Sequence, residues 1–181
     1  MVDVALGSEV SARVNRVEVR RYVENRRTLA EFLREDLGLT GTKVSCELEV
    51  CGVCSVLVDG EPVSACTYLA VDIDGREVLT VEGLADQSRL HPLQEAFVEN
   101  FALQCGFCTP GFLTMAHCLL AANPAPSESE VIEHLDGNIC RCTGYRPIVD
   151  AVLDAAQRLR NANASAENER GSDPGPGSSH D

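Results

Sequence analysis

Eight of the nine cysteines in this chain fall into two tight sets. The first is Cys46-x4-Cys51-x2-Cys54, with Cys66 further on. The second joins Cys105-x2-Cys108 to Cys140-x-Cys142. Thiols this close together imply something bound between them. In a reducing compartment they favour metal ligation or catalysis, and an odd total counts against a purely disulfide framework. The first spacing matches the run C-x4-C-x2-C…C that holds a plant-type [2Fe–2S] cluster. The second suits an iron–sulfur centre or structural zinc alike.

The chain has 181 residues and is 44% hydrophobic, enough for one or two small domains. Aromatics are only 4% and tryptophan is absent. Small cores of this kind bury modest area, so bound centres can carry part of the stability. A net charge of -13 argues against a nucleic-acid partner, which needs clustered Lys and Arg. The densest basic group, Arg20, Arg21, Arg26 and Arg27, reads as a solvated face. Residues 1–10 lack the positive start and apolar core of a signal peptide. No apolar run approaches the ~20 residues that span a bilayer. The expectation is a cytoplasmic protein without a membrane span.

Organisation follows from local patterns. Residues 1–9 read as a tail. Alternation at Val10, Ala12 and Val14, then Val17 and Val19, predicts a hairpin or two short strands. Thr28 and Glu31 form a capping box that opens a helix through Leu29, Phe32, Leu33 and Leu37, closed by Gly38. Residues 55–58 are strand-like, Asp59-Gly60 is a hairpin turn, and residues 62–66 return, carrying Cys66 on the return strand. Residues 71–73 and 78–81 predict a further hairpin about Asp74-Gly75. After about Gly83 the pattern turns helical. Pro92 opens one helix. Thr109-Pro110 reads as an N-cap and N1 proline for a helix over 111–122. Ser127 and Glu130 form a second capping box for a helix ended by Asp136-Gly137. Arg146-Pro147 starts the last helix. From Asn161 the composition predicts a disordered tail. The division is thus a tail (1–9), a small mixed sheet with one helix (10–86), an all-α unit of four helices (87–160) and a tail (161–181).

The chemistry of the two sets differs in setting. In the first, Gly41, Ser45, Gly52 and Ser55 are small enough to let backbone approach a cluster and donate N–H groups to sulfur. In the second, each cysteine pair precedes a helix start, where free N–H groups and the dipole favour an anionic thiolate centre. Cys118 lies mid-helix and reads as a buried small hydrophobe. His91, His117, His134 and His180 show no paired metal spacing and read as structural or exposed. No Ser/His/Asp arrangement, Walker-type loop or dinucleotide fingerprint is visible.

The stretches QCGFCTPG at 104–111 and GNICRCTGY at 137–145 resemble the iron–sulfur subunit of the molybdenum hydroxylases, the xanthine dehydrogenase family. That family includes aldehyde oxidoreductase, aerobic carbon monoxide dehydrogenase and the N-heterocycle dehydrogenases. The resemblance covers roughly residues 10–160. It implies an α+β protein: an N-terminal β-grasp domain like plant-type ferredoxin, then an all-α four-helix bundle domain. It implies one [2Fe–2S] cluster on Cys46, Cys51, Cys54 and Cys66, and another on Cys105, Cys108, Cys140 and Cys142. It implies a large molybdopterin (molybdenum) subunit and a medium FAD subunit as partners, in a dimer of heterotrimers. Positions matching Gln104 and Cys142 contact the pterin in the family. The expected function is electron transfer from molybdenum through both clusters to FAD, with no catalytic residue and no turnover by this chain alone. Two rivals stand beside it, a free-standing two-cluster ferredoxin and a zinc-stabilised interaction module. The chain departs from the family at Ser45 and Glu49, where glycine is usual. A glycine there with positive φ would make Ser or Glu a strained replacement, and a close carboxylate would lower the cluster's potential.

Overall fold

The computed structural model describes residues 6–86 and 89–171, with backbone alone for 166–171. Strands β1 (Gly7–Val14) and β2 (Val17–Glu24) form a full antiparallel hairpin. Its two-residue turn, Asn15-Arg16, has both residues at positive φ, as a tight hairpin matching strand twist requires. A short helix, α1 (Leu29–Glu31), follows and widens into a π turn over Phe32–Asp36. The Thr28 capping box is present in full: Thr28 Oγ1 accepts the Glu31 N–H, and Glu31 accepts the Thr28 N–H at 2.8 Å. Gly38, at φ 71, ends the segment. Strands β3 (Ser55–Val58) and β4 (Glu61–Ser64) pair about Asp59-Gly60, again with both turn residues at positive φ.

The next segment departs from expectation. Residues 71–73 make no strand. They lie in a 3-10 turn, Ala70–Ile73, that buries Ala70 and Ile73 completely. Asp74 and Gly75 then turn onto β1 instead of folding back: the Ser11 N–H donates to Asp74 Oδ1 at 2.8 Å, and the Gly75 N–H donates to the Ser11 carbonyl. Strand β5 (Glu77–Leu79) therefore enters the sheet between β1, which it meets parallel, and β3, which it meets antiparallel. The order is β2-β1-β5-β3-β4. Burial of a central position outweighed the local hairpin signal.

Among the described residues four α-helices follow the sheet: α2 (Pro92–Glu99), α3 (Thr109–Ala122), α4 (Glu128–Leu135) and α5 (Arg146–Gly171). His91 caps α2 through Nδ1, and Gln94 completes the box. Ser127 and Glu130 cap α4 as read from the sequence. At α3 the cap moves by one residue. Cys108 is the N-cap, Thr109 is already helical, and its buried Oγ1 has no hydrogen-bond partner. Helix α5 also runs past Asn161, where a disordered tail was expected, to Gly171. Ala162 and Ala164 are strong helix formers, and a helix already nucleated by packed Ile148, Val152 and Ala155 propagates at little cost. Residues 172–181, with His180, lie outside the described residues, as do residues 1–5; of the tail expected over 1–9, Gly7, Ser8 and Glu9 instead begin β1.

Two apolar cores result. One gathers Val10, Val14, Phe32, Leu33, Val56 and Ile73 between the sheet and α1. The other gathers Leu93, Phe97, Phe112, Val131, Ile148 and Val152 among the four helices. The architecture is α+β, a mixed five-stranded sheet followed by a helical unit. Strand β3 is buried along its whole length because α3 packs on the face away from the sheet core. Among the described residues no helix is long and apolar enough to cross a membrane.

Candidate iron–sulfur sites

Three thiols of the first set, Cys46, Cys51 and Cys54, sit in a loop without regular structure between the π turn and β3. Cys51, Cys54 and Cys66 are buried and Cys46 is half-buried. Residues Glu47 (φ 55), Glu49 (φ 59) and Gly52 (φ 67) are left-handed, and such residues among right-handed ones turn successive N–H groups to one side. The Cys46 sulfur accepts the N–H groups of Leu48 at 3.4 Å and Val50 at 3.5 Å. These donors bring the Cys46 thiol down to about 6. Burial pushes Cys54 up to about 12, so its thiolate needs a bound cation to persist. Cys66 lies two residues past the end of β4, not on it. A turn closed by N–H donation from Thr67 and Tyr68 to the Ser64 carbonyl holds it. The positive-φ expectation is met at Glu49 alone; Ser45 is not left-handed. Glu49 also reaches across the loop, where the Thr67 hydroxyl donates to its carboxylate at 3.3 Å.

The second set brings Cys108 and Cys140 into the helical core and leaves Cys105 and Cys142 exposed, their sulfurs 3.5 Å apart. Gly106 and Gly144, both at positive φ, bend the chain beside each pair. Burial raises the Cys140 thiol, but the Thr143 hydroxyl at 3.2 Å and the N–H groups of Thr143 and Cys142 at 3.4 Å outweigh it, and the thiol ends below its ordinary value. Burial pushes Cys108 up to about 12. Gln104 is exposed next to Cys105, and the apolar residues flanking these thiols in sequence, Phe101, Leu103, Phe107, Ile139 and Tyr145, are exposed as well.

All nine cysteines are free thiols. Among the described residues no three His, Cys, Asp or Glu groups converge as a single ion would need. A two-iron centre takes its thiolates in pairs, and sulfurs that already accept amide N–H groups suit its anionic character. The donor set therefore fits such a centre at both places.

Several contributors were not legible in sequence. The Thr143 hydroxyl, the Tyr145 hydroxyl that accepts the Cys140 N–H at 3.1 Å, and the Asn138 amide that donates to the Gly52 carbonyl at 2.9 Å all stood inside the quoted motif without an assigned role. Cys118 is half-buried rather than buried. It lines a cleft of about 700 Å³ between the sheet and α3, and burial raises its thiol. His91 caps α2 and stacks edge-on with His117, and His134 bonds the Met115 carbonyl, so these three are structural as expected.

Comparison with known proteins agrees with this chemistry. A family described as "2Fe-2S iron-sulfur cluster binding domain" matches residues 17–100, and one described as "[2Fe-2S] binding domain" matches residues 80–153. The nicotine 6-hydroxylase small subunit of Paenarthrobacter nicotinovorans is 54% identical over 155 residues, covering 86% of this chain and 93% of that one. The structure of quinoline 2-oxidoreductase from Pseudomonas putida 86 superposes with a TM-score of 0.83 at 48% identity, over 87% of this chain and 98% of that chain. Aldehyde oxidoreductase from Desulfovibrio gigas gives a TM-score of 0.83 at 42% identity, over 88% of this chain but only 18% of that one. Fold and thiol sets together define a [2Fe–2S] electron-transfer protein, ferredoxin-like first and helical second. Its likeness over most of both chains is more specific: the chain belongs to the iron–sulfur subunits of the molybdenum hydroxylase family, and is one component of an oxidoreductase.

Proposed function

We propose that this chain carries two [2Fe–2S] clusters and passes electrons from a molybdopterin centre on a large subunit to FAD on a medium subunit. Cys46, Cys51, Cys54 and Cys66 hold one cluster in a ferredoxin-like domain over 10–86. Cys105, Cys108, Cys140 and Cys142 hold the other in a helical domain over 87–160. The observation that carries this reading is that each set of four thiols contains a sulfur already accepting two backbone N–H groups. When bound, such clusters supply one-electron storage without proton or atom transfer. What the chain supplies is ligation, orientation and a protein wall. Exposed Cys142 and Gln104 are the contacts for the pterin of the large subunit. The assembly is a cytoplasmic dimer of heterotrimers.

Low-temperature EPR of the dithionite-reduced native complex, with metal and flavin analysis, tests this. Two distinct signals, about four irons per chain at two for each [2Fe–2S] centre, and co-purifying molybdenum and flavin are expected. Two signals without molybdenum or flavin would replace the reading with a free-standing carrier. Stoichiometric zinc without signals would sink it.

A further inference from the structure

Helix α2 ends in a turn that its own sequence does not favour. Asn100 is the C-cap, and its N–H donates to the Ala96 carbonyl at 2.9 Å. The Phe101 N–H then donates to the Val98 carbonyl at 3.2 Å, and the Ala102 N–H to the Phe97 carbonyl at 2.9 Å. Phe97 and Ala102 are both buried in the helical core. Such a helix ending requires one left-handed residue, and glycine usually fills the place because it has no Cβ to clash. The π turn ends that way on Gly38, at φ 71. Here the residue is Phe101, at φ 52.

The side chain gains nothing in return. Phe101 is 82% exposed, more than any other Phe or Tyr of the chain, whereas Phe32, Phe97 and Phe112 are fully buried. Val98, hydrogen-bonded to it in the same turn, is exposed too. A lone exposed apolar residue needs no explanation. One that also occupies a strained position, where glycine would fit without cost, is unfavourable to the free chain twice over.

The turn is nonetheless held firmly. The Asn100 side-chain amide donates to the Ala96 carbonyl at 2.9 Å and to the Asp154 carboxylate of α5 at 2.8 Å. Arg158, one turn further along α5, pairs with Asp154 at 2.7 Å and with Glu99. Polar groups from two helices thus brace the backbone that leads into Phe101, while its ring stands in solvent. An aromatic ring on a rigid backbone is the form a binding anchor takes, because little freedom is lost on contact. Its place in the chain says what it meets. Phe101 lies four residues before Cys105, in a loop where Gln104 and Cys105 are exposed. Four residues of chain span about 14 Å at most, so a partner that covers these residues is within reach of the ring.

We propose that Phe101 is the anchor by which the molybdopterin-bearing large subunit grips this chain, its ring seated in an apolar pocket of that subunit with Val98 beside it. The proposal rests on the reading above that such a subunit covers Gln104 and Cys142. Docking then offsets the strain and the exposure that the free chain carries.

The test uses the native complex with p-benzoylphenylalanine in place of Phe101, an aromatic side chain that cross-links on illumination. A cross-link to the molybdenum-containing subunit, identified by mass spectrometry, is expected. A cross-link to the flavin subunit or to a second copy of this chain, or none at all, overturns the anchor. Phe101→Gly supplies a second measurement. It relieves the turn and removes the ring, so its two effects should have opposite signs. The cluster-loaded full chain should melt higher than the unaltered one. The complex, followed by mass photometry on dilution, should dissociate at a concentration at least about tenfold higher. Phe101→Tyr, which keeps the ring, should hold association near the unaltered value. Unchanged dissociation in Phe101→Gly overturns the proposal. So does a lowered melting temperature of its full chain, which would mean that the ring serves the fold. An unaltered complex without a molybdenum subunit removes the reading above and the anchor together, and metal analysis tells that failure from an absent cross-link.

Discussion

The two thiol sets meet the same chemical need with opposite backbone strategies. Around Cys46 a loop outside any helix or strand turns N–H groups inward by left-handed residues, two of them glutamates. Around Cys105 and Cys140 the chain leads into helices, Gly106 and Gly144 take left-handed positions with Tyr145 as a non-glycine beside them, and a side-chain hydroxyl from Thr143 joins the donors. The first site therefore stores backbone strain and keeps three of its four thiols buried. The second holds one left-handed non-glycine residue, Tyr145, against the first site's two, and exposes two thiols. Strain is tolerated where the surrounding sheet core over-determines the loop. Exposure is tolerated where a partner is expected to cover it.

The largest break in this comparison comes from removing a thiol. Cys140→Ser should abolish the second site alone, halving the iron and deleting one EPR signal while the other stays. Loss of both signals would show that the sites do not form independently. Next comes the core that carries the second site. Phe112→Ala should cost about 3–5 kcal/mol, because Phe112 is 1% exposed among the helices. Thermal melts should show the loss, and the Cys140-set signal should disappear on heating before the Cys46-set signal.

Smaller changes sharpen the contrast. Glu49→Gly should relieve about 1–2 kcal/mol of left-handed strain and remove a carboxylate from the loop. Potentiometric titration should find the first centre easier to reduce and the second unchanged. Thr143→Val should do the converse at the second site. Loss of one hydrogen bond to the Cys140 sulfur lowers that centre's potential and leaves the first unmoved. The smallest effect lies at the α1 cap. Backbone and side-chain donation from Thr28 holds the Glu31 carboxyl below its ordinary 4.5. Its contribution is fully present above that value and fades as pH falls through the lowered folded-state value. Glu31→Gln should flatten the acid side of the stability profile by a fraction of the wild-type slope, measured by denaturant titration across that range.

Much of this was legible in advance because it is local. The thiol spacing, both Ser/Thr capping boxes and the Asp59-Gly60 turn each depend on residues a few positions apart. The misreadings cluster where a distant segment competes. Residues 71–73 looked like half of a hairpin, but β1 and β3 both offered β5 a partner, and a buried central strand outweighs an edge hairpin. Cys66 was placed on a strand because the hairpin register seemed to reach it, whereas the register continues only to Ala65, whose N–H meets the Cys54 carbonyl while its own carbonyl is taken by the Ala30 N–H. Asn161 looked like a boundary because composition counts apolar residues and does not register a helix already nucleated upstream.

The sequence by itself determined which residues can bind a soft metal centre, how many sets they form and which elements flank them, since ligand spacing and capping are properties of neighbouring residues. Only the tertiary structure decided that Cys51 and Cys140 share one core, that Asn138 reaches Gly52, and that the Ile139 N–H meets the Cys51 carbonyl. Those contacts are made across more than eighty positions. No periodicity or spacing encodes them; they exist because two apolar cores, each folding for its own burial, meet where Gly52 and Gly111 leave room.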